Sequence, residues 1–178
     1  VAGRTMIERI LDMLEAGGVE DVMINTFYLA PMIEDHLKNR KTPRITFSRE
    51  TVLLDTAGGV NKVIDFFGGD PFYVFNADFI ITDGKKPLLQ ALAEKWDDQK
   101  MDLLLLMHKK EKGGDYYLPE GSDRPQFAKG EGNTKTPNYQ VSGPRIVHPR
   151  LFKDVPQGVL GFLKLFHKAE AAGRLYAL

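Results

Sequence analysis

The feature that most constrains the fold of this chain is the regular alternation of short apolar runs with segments of helical periodicity. The run 101–107 is almost continuously apolar, and it directly follows a stretch, 87–96, that has apolar residues at helical spacing. Near-continuous apolar runs are typical of strands buried on both faces of a sheet. The same reasoning predicts strands at 21–27, 44–47, 71–76, 101–107 and 139–147, and helices at about 6–14, 31–37, 59–67, 87–96 and 159–172.

This order of elements predicts an α/β fold, with a mostly parallel, Rossmann-like sheet and helices on both of its faces. Segment 109–136 departs from the rhythm, because it is rich in Lys, Gly, Asp, Pro and Asn and contains only two brief β-like patches. A small β excursion with loops is expected there. A chain of 178 residues, 43% of them hydrophobic, is long enough for one compact domain over 1–178.

The composition argues against several classes of function. Basic and acidic residues number 24 each, so no diffuse positive field would hold nucleic acid or an anionic membrane. Cysteine is absent, which removes disulfides and thiolate chemistry and makes a reducing cytoplasm the expected compartment. The longest apolar run, 103–107, is far shorter than the roughly 20 residues that span a bilayer. The four histidines lack the spacing of metal ligands.

Small residues cluster at 53–60, where the sequence is Leu-Leu-Asp-Thr-Ala-Gly-Gly-Val, just before a predicted helix. Free N–H groups and the positive end of a helix bind polar ligands, and glycine lets a ligand come close to the backbone. A threonine N-cap followed by two glycines is also an ordinary way to start a helix. This segment alone therefore leaves a ligand site and a simple cap both open.

A second polar group follows the predicted strand 71–76, where the sequence continues Asn76, Ala77, Asp78. The Asp78 carboxylate should emerge at the carboxyl end of the strand, which is the side where open α/β sheets bind ligands. A hard anionic oxygen in that position suits Mg²⁺. An isolated aspartate there is also explained as a cap or turn residue, but its combination with the glycine segment favours a ligand site.

Together, segments 54–60 and 72–78 resemble the paired signature of the sugar-1-phosphate nucleotidyltransferases, whose fold is GT-A-like. The resemblance implies that Asp78 holds Mg²⁺, although Ala77 stands where the family usually has glycine. The nucleotide-binding residues that it implies are Thr56, Ala57, Gly58, Gly59 and Asn76. Within the family, the chain looks most like the branch of N-acetylmuramate-1-phosphate uridylyltransferases and mannose-1-phosphate guanylyltransferases.

The resemblance also extends to a sugar side. Gly114 with its two successors resembles the family's glycine beside the sugar ring, and 138–143 resembles the strand before its sugar-binding turn. Glu131 stands where the family often has a Glu-Lys pair, but Gly132 follows it here. The resemblance therefore implies sugar contacts by Gly114, Glu131 and Gly143. Turn formation without ligand contact explains each of the glycines equally well when it is taken singly.

The two ends of the sequence bear on the catalytic residues. Residues 1–8 resemble the family segment that follows a Pro-Lys-Pro sequence. The family's first strand, with the arginine and lysine of its glycine-rich triphosphate loop, is therefore expected upstream of Val1. Its second metal-binding aspartate is expected beyond Leu178. The resemblance thus assigns no catalytic arginine or lysine within residues 1–178.

The implied activity is transfer of a nucleoside monophosphate from a nucleoside triphosphate to a sugar 1-phosphate, with Mg²⁺. Because the expected catalytic residues lie outside the sequence, residues 1–178 alone are expected to be weakly active or inactive. A non-catalytic nucleotide or sugar-phosphate binding module of the same fold remains the alternative. A generic dinucleotide-binding domain is disfavoured, because the Gly-x-Gly-x-x-Gly fingerprint is absent.

Overall fold

The computed structural model describes residues 3–82, 84–111, 113–129 and 134–178. Helices and strands alternate along these residues, and two short 3₁₀ helices lie at Ile64–Phe67 and Pro149–Phe152. The α-helices are α1 (Met6–Ala16), α2 (Ala30–Leu37), α3 (Asp55–Lys62), α4 (Leu88–Lys95) and α5 (Phe162–Ala171). The strands are β1 (Asp21–Thr26), β2 (Arg44–Arg49), β3 (Phe72–Val74), β4 (Leu103–Lys109), β5 (Tyr116–Tyr117), β6 (Gln126–Phe127), β7 (Tyr139–Val147) and β8 (Leu175–Ala177).

Helix α1 shows how local sequence sets an element. The Thr5 hydroxyl accepts a hydrogen bond from the backbone N–H of Glu8, and the Glu8 carboxylate accepts one from the backbone N–H of Thr5. This capping box fixes the first turn. Gly18, at φ +79°, follows the last turn and lets the chain reverse into β1.

The strands form two sheets. β1 and β2 pair in parallel, while the larger sheet has the order β6-β5-β7-β4-β8 with β3 also paired to β7. β7 runs antiparallel to β3, β4 and β5, whereas β8 runs parallel to β4. The α/β class is thus confirmed, but the pairing is more mixed than predicted, because β7 inserts between β3 and β4. The predicted excursion is the short pair β5–β6.

Apolar side chains of β4 divide between the two faces of the larger sheet. Leu103 and Leu105 pack in one cluster with residues of α3 and α5, and Leu104 packs in another with residues of α4. Helices therefore cover both faces, as the continuous apolar pattern of this strand predicts. No helix in the described parts of the chain is long and apolar enough to cross a membrane.

The two sheets face each other through β1 and β3. Helix α1 packs Leu11 and Leu14 against residues from both sheets, including Ile24 of β1 and Tyr73 of β3. Within the described residues β1 and β3 do not pair with each other. A mostly apolar cleft of about 520 Å³ lies between them. A second, more polar cavity opens next to it, at the ends of the strands.

Candidate functional site

A cavity of about 430 Å³ lies at the carboxyl ends of β1, β2 and β3 and beside the first turns of α3. Its volume is in the range of pockets that hold a small organic ligand. Polar, charged and aromatic side chains all contribute to its lining. The polar and glycine residues that line it are Asn25, Glu50, Asp55, Thr56, Gly59, Asn76, Asp78 and Arg145.

The predicted nucleotide segment divides into two parts in the structure. Thr56 and Gly59 line the cavity, whereas Ala57 and Gly58 are buried away from it. A Cβ at Gly58 would lie 2.3 Å from the backbone oxygen of Gly158, so glycine is needed there for packing. Gly58 therefore serves the contact between α3 and the chain that leads into α5.

The helix begins at Asp55, four residues earlier than predicted, and its first N–H groups are already bonded. The backbone N–H groups of Ala57 and Gly58 donate to the carbonyl oxygen of Leu160, at 2.9 and 2.8 Å. These two N–H groups are therefore not free for a ligand, in contrast to the open donors expected near a helix start. The reason is a partner distant in the sequence, which satisfies the donors that a helix start normally leaves open.

A buried carboxylate, Glu50, supports the wall of the cavity where β2 ends. Its Oε1 accepts a hydrogen bond from Asn25 Nδ2 at 3.1 Å, and its Oε2 accepts one from the backbone N–H of Leu54 at 3.0 Å. A Cβ at Gly59 would lie only 2.7 Å from Glu50 Oε1. The pair of Glu50 and Asn25 thus fixes both the loop before α3 and the surface over Gly59.

The strand-end residues Asn76 and Asp78 both line the cavity, as the sequence predicts for the carboxyl end of β3. Asp78 is exposed, and Asn76 is half-buried. Phe79 follows Asp78 and packs against β7: a Cβ at Gly143, whose φ is +91°, would lie 2.8 Å from its ring. Glycine at 143 therefore lets the Asp78 turn sit directly on β7.

Arg145 is a cavity residue that sequence reasoning missed. It is 4% exposed, and its Nη2 donates to Asn76 Oδ1 at 2.5 Å. Its guanidinium carbon lies 4.3 Å from the centre of the Phe162 ring. Burial lowers the pKa of Arg145 to about 10, and the negative charge of Asp78 partly opposes that shift. The side chain is therefore still protonated at neutral pH.

Gly114 and Gly143, the two predicted sugar-side residues that the structure describes, do not line this cavity. Gly114, at φ +134°, lies against the backbone of β7, where a Cβ would be 2.5 Å from the carbonyl oxygen of Tyr139. This contact and the positive φ explain the glycine by packing alone. Gly143 packs against Phe79, the residue that follows Asp78. Glu131 lies outside the described residues, so the sugar contacts of all three remain predictions.

The resemblance implies a catalytic arginine and lysine upstream of Val1, and the described residues do not test that expectation. The described part of the chain starts at residue 3, so Val1 itself lies outside it. The expectation that these two residues precede Val1 therefore stays a prediction. Arg145 is not a substitute for them, because it belongs to β7 and is buried in the sheet.

Comparison with known families adds a second line of evidence. The family model described as "Nucleotidyl transferase" matches residues 1–116. That span includes both the glycine segment at 54–60 and the strand-end pair Asn76 and Asp78. These two segments are the ones that carry the resemblance in the sequence, and the resemblance is confirmed.

Among characterised relatives, the N-acetylmuramate alpha-1-phosphate uridylyltransferase of Caulobacter vibrioides is 31% identical over 186 aligned residues, covering 98% of this chain and 75% of the relative. The enzyme of the same name from Neisseria meningitidis serogroup B is 29% identical, over 89% of this chain and 68% of the relative. The crystal structure of HddC from Yersinia pseudotuberculosis complexed with GMP-PN superposes with a TM-score of 0.76 at 19% identity, covering 100% of this chain and 77% of that chain. This structural likeness confirms the fold.

Proposed function

Because this chain belongs to the nucleotidyl transferase family, we propose that the cavity at the ends of β1, β2 and β3 is its nucleotide site. The activity is transfer of a nucleoside monophosphate to a sugar 1-phosphate. A 1-phosphate oxygen attacks the α-phosphorus of the triphosphate, and a new P–O bond forms. The bond from the α-phosphorus to the bridging oxygen breaks, and pyrophosphate leaves with that electron pair. NDP-sugar is the other product.

The observation that carries this proposal is that one cavity brings together Thr56, Gly59, Asn76 and Asp78, which lie on two separate segments of the chain. Phosphoryl-type transfer asks for positioning and charge stabilisation rather than for a nucleophile from the protein. The cavity fits that demand, because its walls offer a side-chain amide at Asn76 and the exposed carboxylates of Asp55 and Asp78. The nucleotide would lie beside the first turn of α3, where Glu50 and Asn25 pack closely over Gly59 and form part of the wall.

The side chains that line the cavity fit a metal ion that is bound together with the phosphates of the nucleotide. Within the described residues, no group of three or more His, Asp or Glu side chains is placed to hold a metal ion. Mg²⁺ is commonly held by only one or two carboxylates together with substrate phosphates, and the exposed Asp78 at the end of β3 supplies one such carboxylate. When bound, Mg²⁺ would neutralise charge on the phosphates. Asp78 would set its position.

We propose UTP and N-acetylmuramate 1-phosphate as the substrate pair. Support comes from the two uridylyltransferase relatives, which align over 98% and 89% of this chain. The second alignment covers just over two thirds of that relative's own length. The base and sugar preferences of these relatives are therefore the first to test here.

The test is pyrophosphate release by the protein expressed from its complete gene. UTP, GTP, CTP, ATP and dTTP are offered with Mg²⁺ against N-acetylmuramate 1-phosphate, mannose 1-phosphate and glucose 1-phosphate. Turnover that is highest with UTP and N-acetylmuramate 1-phosphate is expected. Turnover with another pair would correct the substrates, and nucleotide binding without turnover on any pair would favour the non-catalytic binding module.

The role of Asp78, which follows β3, is tested against a matched control variant at Asp70, which precedes β3. Asp78→Asn removes the charge that would hold Mg²⁺ while keeping the shape, and kcat/KM should fall by about 100-fold or more. Asp70→Asn, an exposed aspartate before the other end of β3, should leave kcat/KM unchanged. Wild-type turnover by Asp78→Asn would refute the metal assignment.

A further inference from the structure

Arg145 is a buried cation near the carboxyl end of β7. It pairs through the backbone with Val74 of β3 and Leu105 of β4, so it lies at the centre of the larger sheet. Within the described residues its Nε has no hydrogen-bond partner, and no acidic side chain forms an ion pair with it. Burying a charge that has few partners lowers the stability of the fold. We therefore expect a specific role of this side chain.

The surroundings of Arg145 hold its guanidinium in one place. The ring of Phe162 lies under it at 4.3 Å, and that of Phe166 lies at 5.8 Å. Such stacking on aromatic faces favours the planar guanidinium over a lysine ammonium. At 4% exposure, the side chain has little freedom to swing toward a ligand. Arg145 lines the cavity only over this small exposed area, so its main route to a ligand is the residue that it contacts.

That residue is Asn76, and the chemistry of the contact fixes the direction of its amide. A guanidinium carries only donors, so Asn76 must face Arg145 with its oxygen. The bond from Arg145 Nη2 to Asn76 Oδ1 measures 2.5 Å. The Asn76 NH₂ group, with two donors, is then turned away from Arg145, and no partner for it lies within the described residues. Asn76 lines the cavity.

We propose that Arg145 is a positioning residue: it locks the Asn76 amide so that the NH₂ donors of Asn76 face an acceptor oxygen of the bound nucleotide. This inference rests on the proposed function, since it takes the nucleotide to occupy this cavity. The inference goes beyond the proposed function, because it assigns a role to Arg145, a residue outside the glycine segment and distinct from Asp78. Without Arg145, the amide of Asn76 would be free to turn and present its oxygen to the ligand.

The experiment measures UTP affinity by isothermal titration calorimetry on the protein expressed from its complete gene, at a temperature where thermal melts show every variant folded. Arg145→Met and Asn76→Ala should each weaken UTP binding by about 10- to 100-fold, since each removes the use of one hydrogen bond to a charged or phosphate group. The double variant should be no weaker than either single one. Additive losses would overturn the proposal.

A second variant keeps the test decisive if Arg145→Met does not fold. Asn76→Asp keeps an acceptor for Arg145 but has no donors for the nucleotide. Its UTP affinity should fall as far as that of Asn76→Ala while its thermal stability stays at or above that of the wild type. Wild-type UTP affinity in Asn76→Asp would overturn the proposal.

The control is Arg174→Met, which removes an arginine that bonds Asp102 just before β4, at the amino end of that strand. It should bind UTP as the wild type does, and an equal loss there would refute a specific role for Arg145. In steady-state assays, Arg145→Met should raise KM for UTP and leave KM for the sugar 1-phosphate unchanged. If the wild type binds UTP but makes no product, only the proposed activity is refuted. The role of Arg145 is still tested in that case, because the binding measurements do not need turnover.

Discussion

Two adjacent glycines in α3 are needed for different physical reasons. A Cβ at Gly58 would lie 2.3 Å from the backbone oxygen of Gly158, and backbone atoms cannot move aside easily. A Cβ at Gly59 would lie 2.7 Å from a side-chain oxygen, Glu50 Oε1, at the wall of the cavity. Alanine at 58 should therefore damage packing, whereas alanine at 59 should reshape the ligand surface.

Gly58→Ala should lower the free energy of unfolding by about 1–3 kcal/mol, because the added methyl overpacks a tight contact between α3 and the chain before α5. Urea denaturation measures this change. Gly84→Ala is the control, since a Cβ there meets nothing within 4 Å and surface substitutions usually cost less than about 0.5 kcal/mol. Equal stability of the two variants would contradict the close contact at Gly58.

The site residues differ in how visible they are in the sequence. Asp78 is predictable, because it directly follows a strongly apolar strand and ligands gather at strand ends. Glu50 directly follows β2, so the expectation that site residues lie at strand ends would also have identified it. Arg145 is a charge directly before the apolar residues Ile146 and Val147, which is a signal in itself. Its partners Asn76 and Phe162, however, are brought to it only by the folded sheet.

Among the secondary-structure elements, the start of β4 is held by a clasp of charged side chains. Asp102 Oδ1 accepts hydrogen bonds from Arg150 Nε at 2.5 Å and from Arg174 Nε at 2.7 Å. The same two arginines also donate to backbone oxygens between 98 and 101. The clasp thus joins the loop before β4 to the 3₁₀ helix after β7 and to the chain that enters β8.

Acid should loosen this clasp. Burial alone would raise the pKa of Asp102, but hydrogen bonds and charge from Arg174 and Arg150 outweigh it and lower that pKa below the ordinary value of 3.8. A carboxylate with a lowered pKa stabilises the fold above its unfolded pKa, and that stability is lost as the pH falls through the folded pKa. The free energy of unfolding should therefore drop on acidification from about pH 5 toward about pH 2.

Asp102→Asn isolates this contribution. At about pH 6 the variant should be about 2 kcal/mol less stable than the wild type, because two charge-assisted hydrogen bonds are weakened. The difference should shrink in urea titrations as the medium is acidified. Asp154→Asn, at an exposed aspartate, serves as the control. A difference between wild type and Asp102→Asn that does not depend on pH would contradict the proposed clasp.

Element boundaries were less predictable than element types. The helices and strands of the first hundred residues follow the apolar periodicity, which local sequence carries. Helix α3 begins earlier than expected because Leu160 accepts from its first N–H groups, a contact that no local pattern reveals. Strand β8 has only three residues, and it exists because Leu103 to Leu105 of β4 pair with it.

At the scale of the whole molecule, the cavity draws its lining from both sheets. Asn25 and Glu50 come from the β1–β2 sheet, and Asn76 and Arg145 come from the larger sheet. The overall α/β class follows from the sequence, but the insertion of β7 between β3 and β4 does not, because strand order depends on long-range pairing. That residues 1–178 form one domain stays a prediction.

One thermal experiment with bound ligand tests both the position of the nucleotide in the cavity and the prediction of a single domain. UTP with Mg²⁺ contacts both sheets if it fills the cavity, so it should stabilise the whole molecule. At a ligand concentration of about 100 times Kd, the gain is about 2.7 kcal/mol, or roughly 5–10 °C in Tm for a chain of this size. One cooperative transition should shift as a unit in a calorimetric scan. Asp78→Asn should lose most of the shift that depends on Mg²⁺. Two separate transitions, only one of them moved by UTP, would refute the single domain and place the nucleotide within one sheet alone.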